Sequence, residues 1–478
     1  MELSLLNLPT LTIGLLALIA FAVLAWRRYD WALLTTIALL PSYLIRFKVL
    51  GIPSTWLEIM IIVLIIVYGF KNYRLTMANI KQNITKGKVT NRYPFDIEVI
   101  LWLILGIIAV AMAGWSLGAL GIWKAYFLEA IFVYLLFINT LGRNKAWTRV
   151  FWAMAISALL LSLVAWYQKF VDMEFLNPIW SHQVVPRVTS VYPYANALGL
   201  YLAPIIILLG VYLKSLLKDK GKLYQIVALI VVIIMSLASI IFSRTEGAML
   251  GVLAGSILFF ALSSRRGLWL TAVVLALGLV AIVSVPSWRS VAWEKVSLSD
   301  LSGEIRQAQW LETKQMLMAS PVNFIFGVGL NNYPVRVLPF HQEGIFYNFD
   351  KLPYEEFRNN LVNGSYLYKR AYWKPVQIYQ YPHNIILNFW TELGILGVAL
   401  MLWLLARFFY LSLKIYYQHR DVLALGLASA MVTVLVHGLV DVPYFKNDLA
   451  VLWWILFAIL AVIKLDYDYE RSSTKGDR

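Results

Sequence analysis

The chain has 478 residues, of which 60% are hydrophobic and only 14% charged, with a mean hydropathy of +0.70. A soluble protein of this length carries charge on about a quarter of its residues, so a soluble fold is excluded. The net charge of +15 falls between apolar segments, as topology-setting residues do, which sets aside nucleic-acid binding, and the absence of cysteine excludes disulfides and thiolate metal sites.

Taken in chain order, the apolar segments predict membrane spans at 8–26, 31–45, 56–70, 95–115, 120–139, 150–168, 195–213, 225–242, 249–262, 268–285, 385–410, 422–440 and 449–465. Crossing a bilayer takes roughly 20 apolar residues, so the short second, third and ninth segments must borrow flanking residues or re-enter. Residues 1–10 carry no basic n-region and no small-residue cleavage site, so the first run reads as a retained helix. The fold expected is all-α: a polytopic membrane protein of 12–13 transmembrane helices with one long extracytoplasmic loop domain. Its divisions are 1–285 (N-terminal helices), 286–382 (the loop domain), 383–465 (C-terminal helices) and 466–478 (a cytoplasmic tail).

Lysine and arginine bias sets the orientation. Arg27 and Arg28, the basic stretch 71–92, Arg143, Lys145 and Arg149 alternate onto one side. Lys214, Lys218, Lys220, Lys222, Arg265, Arg266, Lys414, Arg420 and the tail with Arg471, Lys475 and Arg478 join them. That side is expected to be cytoplasmic, with the N-terminus outside if the count is odd. The opposite face receives a loop near 169–194 and the aromatic, proline-interrupted segment 286–382. A loop of that length without low complexity is expected to be ordered and functional.

Polar residues at the outer surface carry the chemical signal, because charges at that depth are costly. Ser243-Arg244-Thr245-Glu246-Gly247 forms a turn between two apolar helices. Arg244 there is either a fork for phosphate or a snorkelling cation paired with Glu246. Arg306 and Trp310 lie four apart on one helix face, ahead of Pro321 and the turn Gly327-Val328-Gly329; the bland alternative is a stacked Arg–Trp pair. His383-Asn384 starts the helix that re-enters the membrane. Asn384 can cap it, and a neutral imidazole at a helix N-terminus can accept a proton as a general base. Arg187, Tyr192, Tyr194, Asn196, Lys124, Glu129, Asp441 and Tyr444 are softer candidates for the same cavity, each equally an interfacial anchor or buried pair. His182, His341, His419 and His437 show no metal-ligand spacing, so neither a metal nor any other cofactor is expected.

In this order, Ser243-Arg244, Arg306…Trp310…Pro321…Gly327-Val328-Gly329 and His383-Asn384…Leu387…Glu392-Leu393-Gly394…Gly397 resemble the O-antigen ligase/polymerase family. Gly121-Ile122-Trp123-Lys124-Ala125-Tyr126-Phe127 and Val440-Asp441-Val442-Pro443 extend the likeness over about 120–460. The resemblance implies a metal-independent, inverting glycosyltransferase of the GT-C type in the bacterial inner membrane. It implies a glycan donor on undecaprenyl diphosphate and an acceptor hydroxyl, such as lipopolysaccharide core, met on the periplasmic face of the lipid bilayer. It implies Arg244 and Arg306 on the diphosphate and His383 on the acceptor; beside these, Arg187, Lys124, Trp310, Tyr194 and Asn384 are expected from their positions as further substrate contacts. Two departures stand out: thirteen spans instead of twelve, and Glu246 two residues after Arg244, where it would compete with phosphate. An O-antigen or exopolysaccharide polymerase shares this architecture. A polysaccharide or lipid flippase is the alternative of another class, but it needs polar residues near the midplane, whereas here the outer surface is enriched. A non-catalytic scaffold gives no reason for cations to gather on one face.

Overall fold

The computed structural model describes residues 8–49, 51–86, 93–142, 146–183, 185–217 and 220–476. Arg143, Lys145, Lys218 and Arg478, together with Lys88 and Arg92 of the basic stretch and residues 1–7, lie outside them. The described chain is helical nearly throughout, as its composition predicts. α1 (Leu8–Arg27) and α2 (Tyr29–Ala38) lead through a 3-10 turn into a hairpin, β1 (Arg46–Val49) against β2 (Ile52–Thr55). α3 (Trp56–Lys86) and α4 (Asp96–Met112) follow. α5 (Leu117–Ile122) and α6 (Glu129–Leu141) form one rod interrupted by a π-helical turn, Trp123–Leu128. Then come α7 (Val150–Phe170), α8 (Ala195–Leu216), α9 (Leu223–Ser243), α10 (Glu246–Ser263) and α11 (Arg265–Ser284).

The segment between the two membrane blocks folds as a helical layer: α12 (Pro286–Val296), α13 (Leu301–Met318), α14 (Pro321–Phe326) and α15 (Tyr333–Arg336). A small antiparallel pair, β3 (Gly344–Phe346) with β4 (Trp373–Pro375), encloses α16 (Tyr354–Asn363) and α17 (Tyr366–Tyr372). α18 (Ile385–His419), α19 (Val422–Gly438) and α20 (Asn447–Gly476) complete the chain, so α20 continues as a helix into the expected tail.

Among the described residues nine helical stretches are long and apolar enough to cross a membrane, with two shorter apolar helices, Thr12–Arg27 and Val422–Gly438. Each of the thirteen expected spans falls on helix. The second differs in form: α2 has ten residues, about 15 Å of rise, and the 3-10 turn Leu40–Leu44 finishes it. Pro41 in that turn ends the α-helical ladder, because it has no N–H to donate.

Contacts sort the bundle into two ends. At one end, Arg149 at the start of α7 pairs with Asp30 of α2 at 2.8 Å. At that end too, Arg407 of α18 pairs with Glu98 of α4 and Tyr467 of α20 donates to Asp421 at 3.0 Å. The other end carries the helical layer. There α18 is broken at Gly394, whose φ of 74° and ψ of −177° only glycine adopts readily. A Cβ on Gly394 would lie 2.0 Å from the Ile325 carbonyl oxygen, so the break lets α14 lie against the helix backbone. The turn after α14 is tied down there: Val328 N–H donates to Thr391 O at 2.7 Å, Leu330 N–H to Ala109 O of α4 at 3.2 Å, and Asn331 N–H to the buried Glu392 carboxylate at 2.9 Å. The Gly327-Val328-Gly329 turn is therefore the joint between the layer and the membrane helices.

Candidate active site

Arg244 ends α9 in the left-handed conformation, φ 51°, and the chain turns directly into α10. Ser243 and Thr245 on either side are buried and hydrogen-bond each other at 2.8 Å, which leaves the Arg244 side chain exposed. Arg187 braces this turn from the segment before α8. Its Nε donates to Ser243 O at 2.7 Å, its Nη2 to Asn196 Oδ1 at 2.7 Å, and its guanidinium lies 5.3 Å from the Trp180 ring centroid. Burial lowers the pKa of Arg187. Glu246 and Asp441 oppose the fall, while Arg244 and Arg306 add to it. Three guanidinium groups from three separate segments are thus brought within electrostatic reach of one another. Arg187 and Arg244 line a shallow depression of about 620 Å³ with His182, Gln183 and Val185.

Glu246 does not engage Arg244: it pairs with Lys295 of α12 at 2.8 Å, and Lys295 also holds Asp300 at 2.8 Å. The competition expected for the phosphate fork is removed by that lysine. Trp310 does not stack on Arg306 among the described residues; its Nε1 donates to Pro382 O at 2.9 Å. Arg306 and His383 are in this way hung on one connected piece, because α13 is tied to the residue before the histidine.

His383 has a left-handed backbone, φ 43°, just ahead of the cap of α18. Asn384 Oδ1 accepts from Ile386 N at 3.0 Å and Leu387 N at 3.1 Å, while its Nδ2 donates to Leu439 O at 3.0 Å. Both halves of the Asn384 amide are therefore used in fixing the loop. His383 Nδ1 lies 3.6 Å from Asp441 Oδ1, ion-pair range rather than a closed hydrogen bond, and its ring meets Tyr379 edge-on at 4.8 Å. Asp441 is buried and also accepts from Asn196 Nδ2 at 2.9 Å and Val442 N at 2.8 Å. Burial pushes the Asp441 carboxyl up, but His383 beside it, together with His437 and the Val442 N–H, holds it well below the carboxylate range. With Nδ1 facing this carboxylate, Nε2 is the nitrogen left to accept a proton. A continuous chain results: His383–Asp441–Asn196–Arg187–Ser243, which links the imidazole to the arginine turn. Both Arg244 and His383 sit in backbone regions that cost a non-glycine residue free energy, a feature that collects at functional sites.

Two of the softer candidates separate. Tyr194 stands beside this network, under the Lys446 ammonium. Lys124 instead pairs with Glu58 at the start of α3, beside the π-helical turn. Two residues without an assigned role join the site. His437 is buried in α19 within reach of Asp441 and Arg306, and Gly247 makes room for it, since a Cβ there would meet its ring at 2.5 Å. Lys446 is the other; its signal in the sequence is a basic residue two positions from Asp448 at the edge of the apolar run 449–465. Among the described residues no three His, Asp or Glu side chains are placed to share a metal ion.

These features define a polytopic membrane protein with a cation cluster and a histidine–carboxylate pair joined at one end of its helical bundle. Residues 230–402 match the model of the O-antigen ligase family, so the chain carries a domain of that family. The matched segment contains Arg244, Arg306, Trp310, His383 and Asn384, while Lys124, Arg187, Tyr194 and Asp441 lie outside it. A comparison with curated proteins found no match.

Proposed function

We propose that this protein transfers a glycan from undecaprenyl diphosphate to an acceptor hydroxyl on the periplasmic face of the bacterial inner membrane, acting as an O-antigen ligase. The observation that carries the reading is the linked pair of half-sites: a histidine–aspartate couple tied through Asn196 to a turn ringed by arginines. The acceptor oxygen attacks the anomeric carbon from the face opposite the leaving group, and its proton passes to His383 Nε2. The bond from the anomeric carbon to the diphosphate oxygen breaks, and the electron pair leaves with the diphosphate. Arg244 and Arg306 stabilise the charge that builds there, a contribution worth most where the donors are already in place. Asp441 stabilises the imidazolium that forms, as a buried carboxylate does in a hydrolase triad. Attack from the opposite face inverts the anomeric centre, and no step calls for a metal.

The test is release of undecaprenyl diphosphate by purified protein supplied with the lipid-linked donor and an acceptor in EDTA. Wild type is expected to release it, with Arg244→Ala, Arg306→Ala and His383→Ala each slowed about 10²–10³-fold. Normal release by all three variants would sink the reading. The product decides the acceptor: a glycan joined to a second lipid-linked chain would make the protein a polymerase. Donor movement across the bilayer without bond cleavage would make it a flippase.

A further inference from the structure

Four tyrosines cluster beside the site. Tyr43 follows α2, Tyr126 belongs to the π-helical turn, Tyr194 precedes α8 and Tyr381 precedes His383. Each lies within electrostatic reach of another, and the Tyr126 and Tyr381 hydroxyls hydrogen-bond. Lys446 stands among them. Its Nζ is 3.8 Å from the Tyr194 ring centroid and 5.9 Å from that of Tyr192. That Nζ is shielded from solvent and has no hydrogen-bond partner among the described residues.

The nearby carboxylates do not meet this demand. Asp441 serves Asn196 and His383, while Asp448 accepts from the Tyr192 hydroxyl at 2.8 Å and from Leu449 N at 2.9 Å. Burial, against the pull of Asp448 and Asp441, brings Lys446 down to about 8, so it is still mostly cationic at neutral pH. The exposed Arg46 of β1 adds a second cation near Tyr43 and Tyr126. An ammonium with three donors and no acceptor is costly to bury, and the chemistry that relieves it is an oxygen ligand. Aromatic rings beside it present apolar faces and hydroxyl tips to a sugar.

We propose that this tyrosine cluster around Lys446 is a saccharide subsite for the acceptor, and that it takes a ring bearing an acidic substituent, with Lys446 and Arg46 on the acid group. Its place in the reaction rests on the glycosyl-transfer reading, since Tyr194 and Tyr381 adjoin Asn196 and His383. The acid is a carboxylate or a phosphate ester, both of which suit a cation pair.

The test uses the full chain in nanodiscs without donor, titrated calorimetrically with methyl glucuronide, glucose 6-phosphate, methyl glucoside and inorganic phosphate. One acidic sugar is expected to bind about tenfold more tightly than the neutral one, the worth of one charged hydrogen bond. Which acidic sugar does so identifies the acid. Lys446→Met and Arg46→Ala should each abolish that preference, and Arg244→Ala should leave it. The exposed Arg46 keeps the test readable if Lys446→Met fails to fold. Equal binding of neutral and acidic sugars would overturn the proposal, as would no sugar binding. So would inorganic phosphate bound as tightly as the sugars, or a preference lost in Arg244→Ala alone. Because nothing turns over, failure of the transfer reaction and failure of this subsite are separate results.

Discussion

Replacing Asp441 with asparagine keeps the shape of the loop and removes one charge, so it isolates what the carboxylate does for His383. At 3.6 Å the attraction between a carboxylate and an imidazolium is about 4.6 kcal/mol for an effective dielectric near 20. His383 is a quarter exposed (26%), and solvent there reduces the figure to roughly 2–3 kcal/mol. If that interaction exists only once the proton has moved, the transfer step slows by roughly 30- to 160-fold. Asparagine also offers His383 an amide N–H where the carboxylate offered an acceptor, which turns the imidazole toward the wrong tautomer. The assay is single-turnover release of undecaprenyl diphosphate by protein in nanodiscs, for Asp441→Asn, His383→Ala and the double variant. The double variant should be no slower than His383→Ala, because the charge removed acts through the histidine while the asparagine oxygen can still accept from Asn196. Losses that multiply, or an Asp441→Asn rate within about twofold of wild type, would refute the reasoning.

Three further outcomes follow from the same geometry. Arg187→Lys cannot reproduce the fork that holds both Ser243 O and Asn196; about 2 kcal/mol of donor binding should be lost, raising donor KM roughly 30-fold with kcat little changed. Gly394→Ala should destabilise the protein by about 3 kcal/mol or more, since the positive φ is strained and the new Cβ meets a backbone oxygen; a lowered thermal midpoint checks it. Lys446→Met should stabilise the protein at pH 7. A lysine held at about 8 in the fold and near 10.4 unfolded costs about 3 kcal/mol wherever both states are protonated. Between those two values the unfolded chain binds the extra proton, so wild-type stability rises with pH. The advantage of the variant should therefore fade from pH 8 to 10.4 in paired melting curves.

Hydropathy made the spans legible because each one is a local property of some twenty residues. Arg244 and His383 could be picked out as candidates because a charge or imidazole beside an apolar run stands out within a short window, and Arg306 because Trp310 lies one helical turn on. What stayed hidden depends on residues distant in the chain. Asn196 and Asp441 are 245 positions apart, and neither side chain alone distinguishes a structural amide from a link between two half-sites. Glu246 read as a competitor of Arg244 because the two are neighbours in sequence; its partner Lys295 belongs to the next layer. His437 looked like one more histidine on an apolar helix, and only the gap left by Gly247 on another helix brings it to the site. The π-helical turn at Trp123–Leu128 has no period that hydropathy separates from an α-helix.

On the glycosyl-transfer reading, the ties between the helical layer and α18 let cations from two bodies act as one site. Arg244 belongs to the membrane bundle and Arg306 to the layer, so any rocking of the layer would pull the two guanidinium groups apart. Three contacts oppose that motion: α14 seated in the break at Gly394, Asn331 on Glu392, and Trp310 on Pro382. They lie on both sides of His383 along the chain, so the histidine is carried on the same clamp. Oriented charge stabilises a departing diphosphate best when nothing has to reorganise as the bond breaks, and a misplacement of about 1 Å is enough to lose roughly two orders of magnitude in rate. On that reading the break in α18 has a functional consequence, because an unbroken helix would leave the layer without a fixed seat and Arg306 without a fixed distance to Arg244.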